Sequence, residues 1–229
     1  MPSLIALPTT RPRPDTYDMV VVHRVFEREL ALLPALVRAV RPGDTARATL
    51  LASHFRVVAD LLHHHGVGED ELIWPLVVER ASGTDPIVRE MEVQHARLHE
   101  LIDDGAALAV RWALAGDAES RDELASVLEE LSVAAGEHLR DEEEKMLHLI
   151  EEHLTVAEWD ALGQEGQSGR GKRELLLILG LMLEDATDEE REKFLGALPI
   201  HARLVWRRYG AHAYRRYVRR VRGAAAVAG

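Results

Sequence analysis

The sequence predicts an all-α fold, an antiparallel up-down four-helix bundle with an additional C-terminal helical segment, and three observations carry that prediction. Apolar residues recur at helical spacing through four long stretches. No run alternates apolar and polar residues as a half-buried strand requires. The breakers Pro42-Gly43-Asp44, Ser82-Gly83 and Gly116-Asp117 divide the first 153 residues into four segments joined by short turns.

Residues 1–17, with Pro8, Pro12 and Pro14, read as an N-terminal arm. The first helix is expected over 18–33, where Pro34 removes a backbone donor and kinks or interrupts it. The second covers 45–80 with a bend at Pro75, the third 85–115 and the fourth 118–153, so residues 18–154 form the bundle. In the extension, 155–229, Thr155 caps a short helix through Trp159, with Glu158 at the capping-box position. Residues 163–171 hold four glycines and read as a linker. Three further helices are expected over 173–184, 188–197 (Thr187 and Glu190 forming its cap) and 199–222.

With 229 residues, 47% of them hydrophobic, the chain can bury a substantial core. It has no cysteine, which excludes disulfides, zinc fingers and iron-sulfur clusters and leaves imidazole and carboxylate as metal ligands. The opening Met1-Pro2-Ser3 lacks a basic segment before an apolar core, and the longest apolar run, 175–183, is less than half of the roughly 20 residues a membrane span needs. A soluble cytoplasmic protein is the expectation. The net charge of −11 argues against nucleic acid as the partner of the chain as a whole.

Candidate ligands come in pairs. His65/Glu69, His95/His99 and His138/Glu142 each have i,i+4 spacing, which puts both side chains on one helical face, one turn apart. The midpoint between the first two pairs falls at Ser82-Gly83, and between the second two beside Gly116-Asp117. The midpoint between His23 and the first pair falls beside Pro42-Gly43-Asp44. Residues equidistant from the turn of an antiparallel hairpin lie side by side, so these coincidences bring His23, His65, Glu69, His95, His99, His138 and Glu142 to one level of the bundle.

Each pair lies on an apolar stripe: Leu61, Leu62 and Leu72 beside the first, Met91, Leu98 and Ile102 beside the second, Leu131, Ala135 and Met146 beside the third. Polar groups in that setting need a partner. His63 and His64 point toward Arg56, Asp60 and Asp70 and are read as solvated or as supporting groups. His54 shares the inner stripe but lies about 16 Å along the axis from His65, too far for a common metal. Asp141, Glu143 and Glu144 read as a solvated acidic face. Glu27 lies one turn from His23, as an eighth ligand or an outer acceptor, and is left outside the ligand set. His148, His153, His201 and His212 read as surface or packing residues.

Seven ligands are too many for one tetrahedral zinc, whereas two metals of coordination number five or six would share them through bridging carboxylates and a solvent oxo or hydroxo group. Imidazole-rich coordination suits iron, and two irons can supply the two electrons that reduce dioxygen to peroxide.

The series His23, His65-x-x-x-Glu69, His95-x-x-x-His99 and His138-x-x-x-Glu142 resembles that of the hemerythrin-like family, the HHE cation-binding domains. The strings at 63–75 and 91–99 resemble its actinobacterial branch. The resemblance spans residues 18–153 and implies two non-haem Fe ions, with the five histidines as terminal ligands and Glu69 and Glu142 bridging. Two departures stand out. The small oxygen carriers of the family have an Asp at a longer spacing on the last helix, and they have no counterpart to the segment after His153.

Two kinds of function follow from this resemblance. One is an oxidant-handling protein that binds dioxygen, hydrogen peroxide or nitric oxide, with catalase-like or peroxidase-like turnover and a separate reductant. The other is an oxygen or iron sensor or storage module without turnover. A structural bundle with adventitious metal is the third reading.

From Arg203 to Arg222, both included, there are eight arginines and no acid, so the rest of the chain is more acidic still than the whole. Arg207-Arg208-Tyr209 and Arg215-Arg216-Tyr217 read either as a nucleic-acid patch or as a basic helix docked on the acidic bundle, and the charge balance favours docking. The run 175–183 is too apolar to lie exposed, so it packs on the bundle or forms a homodimer contact. Deletion of residues 170–229 is expected to lower solubility or change the oligomeric state; an unaltered, well-behaved chain in sedimentation would contradict this.

Overall fold

The computed structural model describes residues 12–223 and contains no strand among them. Six helices build the bundle: α1 (Tyr17–Arg38), α2 (Thr45–Gly68), α3 (Trp74–Arg80), α4 (Asp85–Ala115), α5 (Ala118–Lys145) and α6 (Leu147–His153). A π-helical turn, Glu69–Ile73, joins α2 to α3. The long helices pack in a ring, α1 on α2, α2 on α4, α4 on α5 and α5 on α1. At one end the Gly43 N–H donates to the Gly116 carbonyl at 2.8 Å and ties two turns together. Both glycines have positive φ, 88° and 66°, where a side chain is strained. The opposite end holds the Gly83 turn and the start of α1, where the Thr16 hydroxyl donates to Glu151 at 2.8 Å.

The apolar interior has two parts. One, toward the Gly43 end, includes Phe26, Leu62, Leu98, Leu131 and Ala135. The other, toward the Gly83 end, includes Met19, Ile73, Trp74, Met91 and Met146. Along each long helix His23, His65 and Glu69, His95, or His138 and Glu142 fall between residues of the two parts. The candidate ligands form a polar layer across the middle of the core.

Three local expectations change. Pro34 does not end the first helix: α1 continues to Arg38, because Leu30, Leu33 and Val37 on both sides of the proline are buried in one core and that packing outweighs one lost hydrogen bond. The bend expected at Pro75 is a π turn, in which the Trp74 N–H donates to the carbonyl of Glu69, five residues back. Pro75 has no donor for the carbonyl of Glu71 and its ring crowds that position, so a wider turn before it is the relaxed solution. The fourth helix is punctuated at Met146 between α5 and α6.

Both capping boxes form, Thr155 with Glu158 and Thr187 with Glu190. The helix α7 (Val156–Glu165) packs on the π turn, and Arg80 grips Glu158 with bonds of 2.7 and 2.9 Å. Since α7 runs on to Glu165, the expected linker is shortened at its start. Then come α8 (Lys172–Glu184), α9 (Asp188–Ala197), α10 (Ile200–Val205), a second π turn, Trp206–Gly210, and α11 (Ala211–Arg222). Leu181 and Leu183 from the apolar run pack with Val25 of α1 and with Trp206, Tyr214 and Val218. Gly180 has no side chain because the Tyr214 ring lies where its Cβ would be.

A buried polar network fastens this segment to the bundle. Glu29 of α1 accepts from His54 Nε2 at 3.0 Å, from Arg28 at 2.9 Å and from Arg222. His54 meets the Tyr217 hydroxyl through Nδ1 at 2.8 Å, while Arg222 and Tyr214 both donate to Glu184. His54 therefore has a structural assignment away from the metal ligands. Among the described residues no helix is long and apolar enough to cross a membrane.

Burial raises the pKa of Glu29, but the bond from His54 and the charges of Arg222, His54 and Arg28 outweigh it and hold the carboxyl at about 2. A depressed carboxyl contributes stability that is complete above its ordinary value of 4.5 and is lost as pH falls toward 2. Over that window α11 is expected to detach from the bundle, seen as loss of amide-exchange protection in 211–222, and Glu29→Gln should remove most of that pH dependence.

Candidate metal centre

Six of the seven expected ligands meet. One group is His23 from α1, His65 from α2 and Glu142 from α5; the other is Glu69 from the π turn, His95 from α4 and His138 from α5. Within each group the potential ligand atoms all lie within 4.8 Å of one another. His65 is the most open at 9%, and the other five are at most 2% exposed, so the centre is shielded from solvent.

The two groups share their carboxylates. Glu69 Oε1 lies 3.1 Å from His65 Nε2 in one group, while its Oε2 lies 3.4 Å from His95 Nε2 in the other. Glu142 Oε2 is 3.3 Å from His23 Nε2, 3.9 Å from His65 Nε2 and 3.8 Å from His138 Nε2. His95 Nε2 and His138 Nε2 face each other at 3.1 Å.

His23 Nε2, His65 Nε2 and all four oxygens of Glu69 and Glu142 are buried without a hydrogen-bond partner. Buried carboxylates left so are costly unless a cation joins them. The donor set is nitrogen and oxygen only, which fits iron and other divalent first-row metals.

The charges in the metal-free chain follow from this crowding. Burial lowers the His23 pKa, but the nearby charges of Glu142 and Glu69 and the bond to Glu143 override it and raise it to about 10. His95 reaches about 10 in the same way, with Asp70 and Glu69 overcoming burial. Burial, against the pull of Glu142 and with repulsion from His95, His65 and His23, pushes His138 down to about 3. Burial and the Glu142 charge raise Glu69, whereas His23 and His65 overcome burial to hold Glu142 well below the usual carboxylate range. Metal uptake must therefore displace protons from His23 and His95.

A ring of supporting bonds runs around the bundle. Glu143 on α5 accepts from His23 Nδ1 on α1 at 2.8 Å. Asp70 in the π turn accepts from His95 Nδ1 on α4 at 2.8 Å, and Gln94 on α4 accepts from His138 Nδ1 on α5 at 3.0 Å. Gln94 in turn donates to Asp141 at 2.8 Å, and Lys145 pairs with Asp141 at 3.3 Å. Each of the three histidines holds its Nδ1 proton on an outer acceptor and turns Nε2 inward, the orientation that metal ligation needs.

Asp141 and Glu143, read from sequence as a solvated acidic face, are thus corrected to supporting groups; Asp70 and Gln94 were missed in the same role. The available signal was adjacency: Asp70 follows Glu69, Gln94 precedes His95 and Glu143 follows Glu142, each serving a histidine on the neighbouring helix. Shape completes the frame. An added Cβ at Gly66 would lie 3.1 Å from the His95 ring, Trp74 stacks on His95 and Phe26 packs against His65.

His99 lies outside both groups. It is half-buried, with its ring centroid 4.4 Å from that of His63, which connects the two residues across α2 and α4. His64 bonds the Asp60 carbonyl at 2.7 Å, and Glu27 is exposed. Tyr17 is exposed, with Glu190 as its charged neighbour.

Residues 15–154 match the family model described as Hemerythrin HHE cation binding domain, a span that holds all six residues of the centre. Comparison with curated proteins and with solved structures returns no match.

The supporting ring gives a specific expectation. Glu143→Ala or Asp70→Ala should lower metal affinity by about 10- to 100-fold with helix content unchanged, measured by competition with a chromophoric chelator and by circular dichroism. Wild-type affinity in both variants would contradict the orienting role.

Proposed function

The chain belongs to the hemerythrin HHE cation-binding family, and from that premise we propose that it is a non-haem di-iron protein that handles dioxygen, hydrogen peroxide or nitric oxide, with catalase-like or peroxidase-like turnover in an oxidative or nitrosative stress response. The observation that carries the two-metal reading is Glu69, whose two oxygens face histidines of different groups. One carboxylate placed so can bridge two cations. His23, His65 and Glu142 would hold one iron, and His95 and His138 the other, with Glu69 between them; His99 stands beyond this set against His63.

Two irons, when bound, supply the paired electrons that the reduction of dioxygen or peroxide needs. The chain's own residues define how that chemistry is confined. Asp70, Gln94 and Glu143 keep the Nδ1 protons outside, so the inward Nε2 lone pairs are available. Phe26 and Trp74 line the centre with apolar surface and exclude bulk water. The small exposure of the ligands favours diatomic or peroxide substrates over larger ones. Electrons from a reductant would have to reach a centre this deep through the protein or by way of a small carrier.

A second reading, a sensor without turnover, has one observation in its favour. Beside His23 on α1, Arg24 bonds Glu190 of α9 at 2.5 Å and Val25 packs on Leu181 of α8, so a shift of α1 on metal or ligand binding would be felt by the C-terminal segment.

Chain expressed with ample iron is expected to hold two irons, and Glu69→Gln one or none, by plasma mass spectrometry. Peroxide loss should run to many turnovers per site. A loaded chain that stops at a single turnover, while its C-terminal segment changes protease sensitivity with iron or ligand, would favour the sensor. Negligible iron, or one zinc per chain, would defeat both.

A further inference from the structure

The helical run from α10 through the second π turn to α11 has an outer face that no described residue covers. Ile200, Leu204, Val205 and Tyr209, four of the large apolar side chains exposed among the described residues, crowd into ten positions, with Ile200 at 74% and Tyr209 at 71% exposure. The helix α10 buries none of its residues. Next along the same run, Arg207, Arg208, Arg215, Arg216, Arg219 and Arg220 are exposed, and among the described residues none of them pairs with a carboxylate. Docking of α11 on the bundle uses a different face, through Tyr214, Val218, Val221 and Arg222. On the other side of the apolar turn, α9 exposes Asp188, Glu189 and Glu192, also without ion pairs among the described residues.

In chain order the surface therefore runs acidic, apolar, basic. We propose that it is a docking surface for a second copy of the chain, two such surfaces meeting antiparallel about a two-fold axis. Ile200 and Leu204 lie at the axis, and the α11 arginines of each copy face the α9 carboxylates of the other. An interface about a two-fold must be self-complementary, and a sequence of charges that reverses sign across an apolar centre has that property when turned on itself. Arginine and tyrosine are the side chains that protein interfaces favour, and exposed apolar residues clustered this closely mark an interaction site. The rest of the chain argues for this occupant over a polyanion. Its strong negative charge repels nucleic acid and anionic lipid, and a phosphate backbone has no use for the apolar turn.

Sedimentation of the full chain at micromolar concentration tests this. The wild type is expected to form a dimer that weakens with salt, and Leu204→Glu to weaken it by about tenfold or more. A charge-swap pair gives the sharper test. Arg215→Glu/Arg216→Glu leaves acid facing acid, and Glu189→Arg/Glu192→Arg leaves base facing base, so each variant alone should be monomeric. Mixed together, the two should form a heterodimer, since both contacts then join opposite charges. All these residues are exposed, so circular dichroism should match wild type. A monomeric wild type, a dimer indifferent to Leu204→Glu, or a mixture that stays monomeric would overturn the proposal. So would a monomer that uses the arginines to bind duplex DNA or vesicles containing one-third phosphatidylglycerol.

Discussion

Two fully buried carboxylates, Glu69 and Glu142, cross the middle of an otherwise apolar core, and the rest of the bundle is arranged around them. Without a cation their four oxygens and the inward nitrogens of His23 and His65 have no partner. Desolvation of that many charges costs several kcal/mol per ion after relaxation, a large fraction of the 5–15 kcal/mol that holds a typical domain together. The apolar layers on either side, Phe26 and Leu62 toward one end, Trp74 and Met146 toward the other, supply the stability that lets the polar layer persist. They also keep it dry, which strengthens every electrostatic interaction inside.

Local irregularity serves the same layer. The π turn at Glu69–Ile73 starts on a ligand and carries Asp70, which steadies His95 across the groove. Outside it, α7 covers the turn, with Leu162 in the space left by Gly68, so the first part of the extension buttresses the centre. The later part acts on α1 and α2 through Glu29, His54 and Arg222. This buried ionic network gives the docked segment one defined position, and loss of Glu29 would remove the acceptor that His54, Arg28 and Arg222 share.

Much of this was legible in the sequence. The four helices, their turns and the shared level of the ligands follow from i,i+4 spacing and from three breakers at equal distances, because antiparallel geometry converts equal sequence separation into proximity. Both capping boxes were readable for the same local reason. What periodicity does not contain is rotation about χ1 and the register change of a π turn. It placed His99 level with His65 and His138, yet the ring packs on His63, a residue read as solvated or as a supporting group. It sent Asp141 and Glu143 to solvent because neighbours of an inward residue point about 100° to either side, where Glu143 meets His23 of one adjoining helix and Asp141 meets Gln94 of the other. Pro34 was expected to kink or interrupt the first helix by a local rule, where burial on both sides carries the helix through to Arg38.

The most direct test of the central claim is the melting temperature of metal-free chain titrated with ferrous iron in the absence of oxygen. If the polar layer is built for two cations, the temperature rises steeply and saturates at two equivalents, and Glu69→Gln blunts the rise. A flat titration, or saturation at one equivalent with Glu69→Gln behaving as wild type, would mean that the two carboxylates do not hold a shared centre.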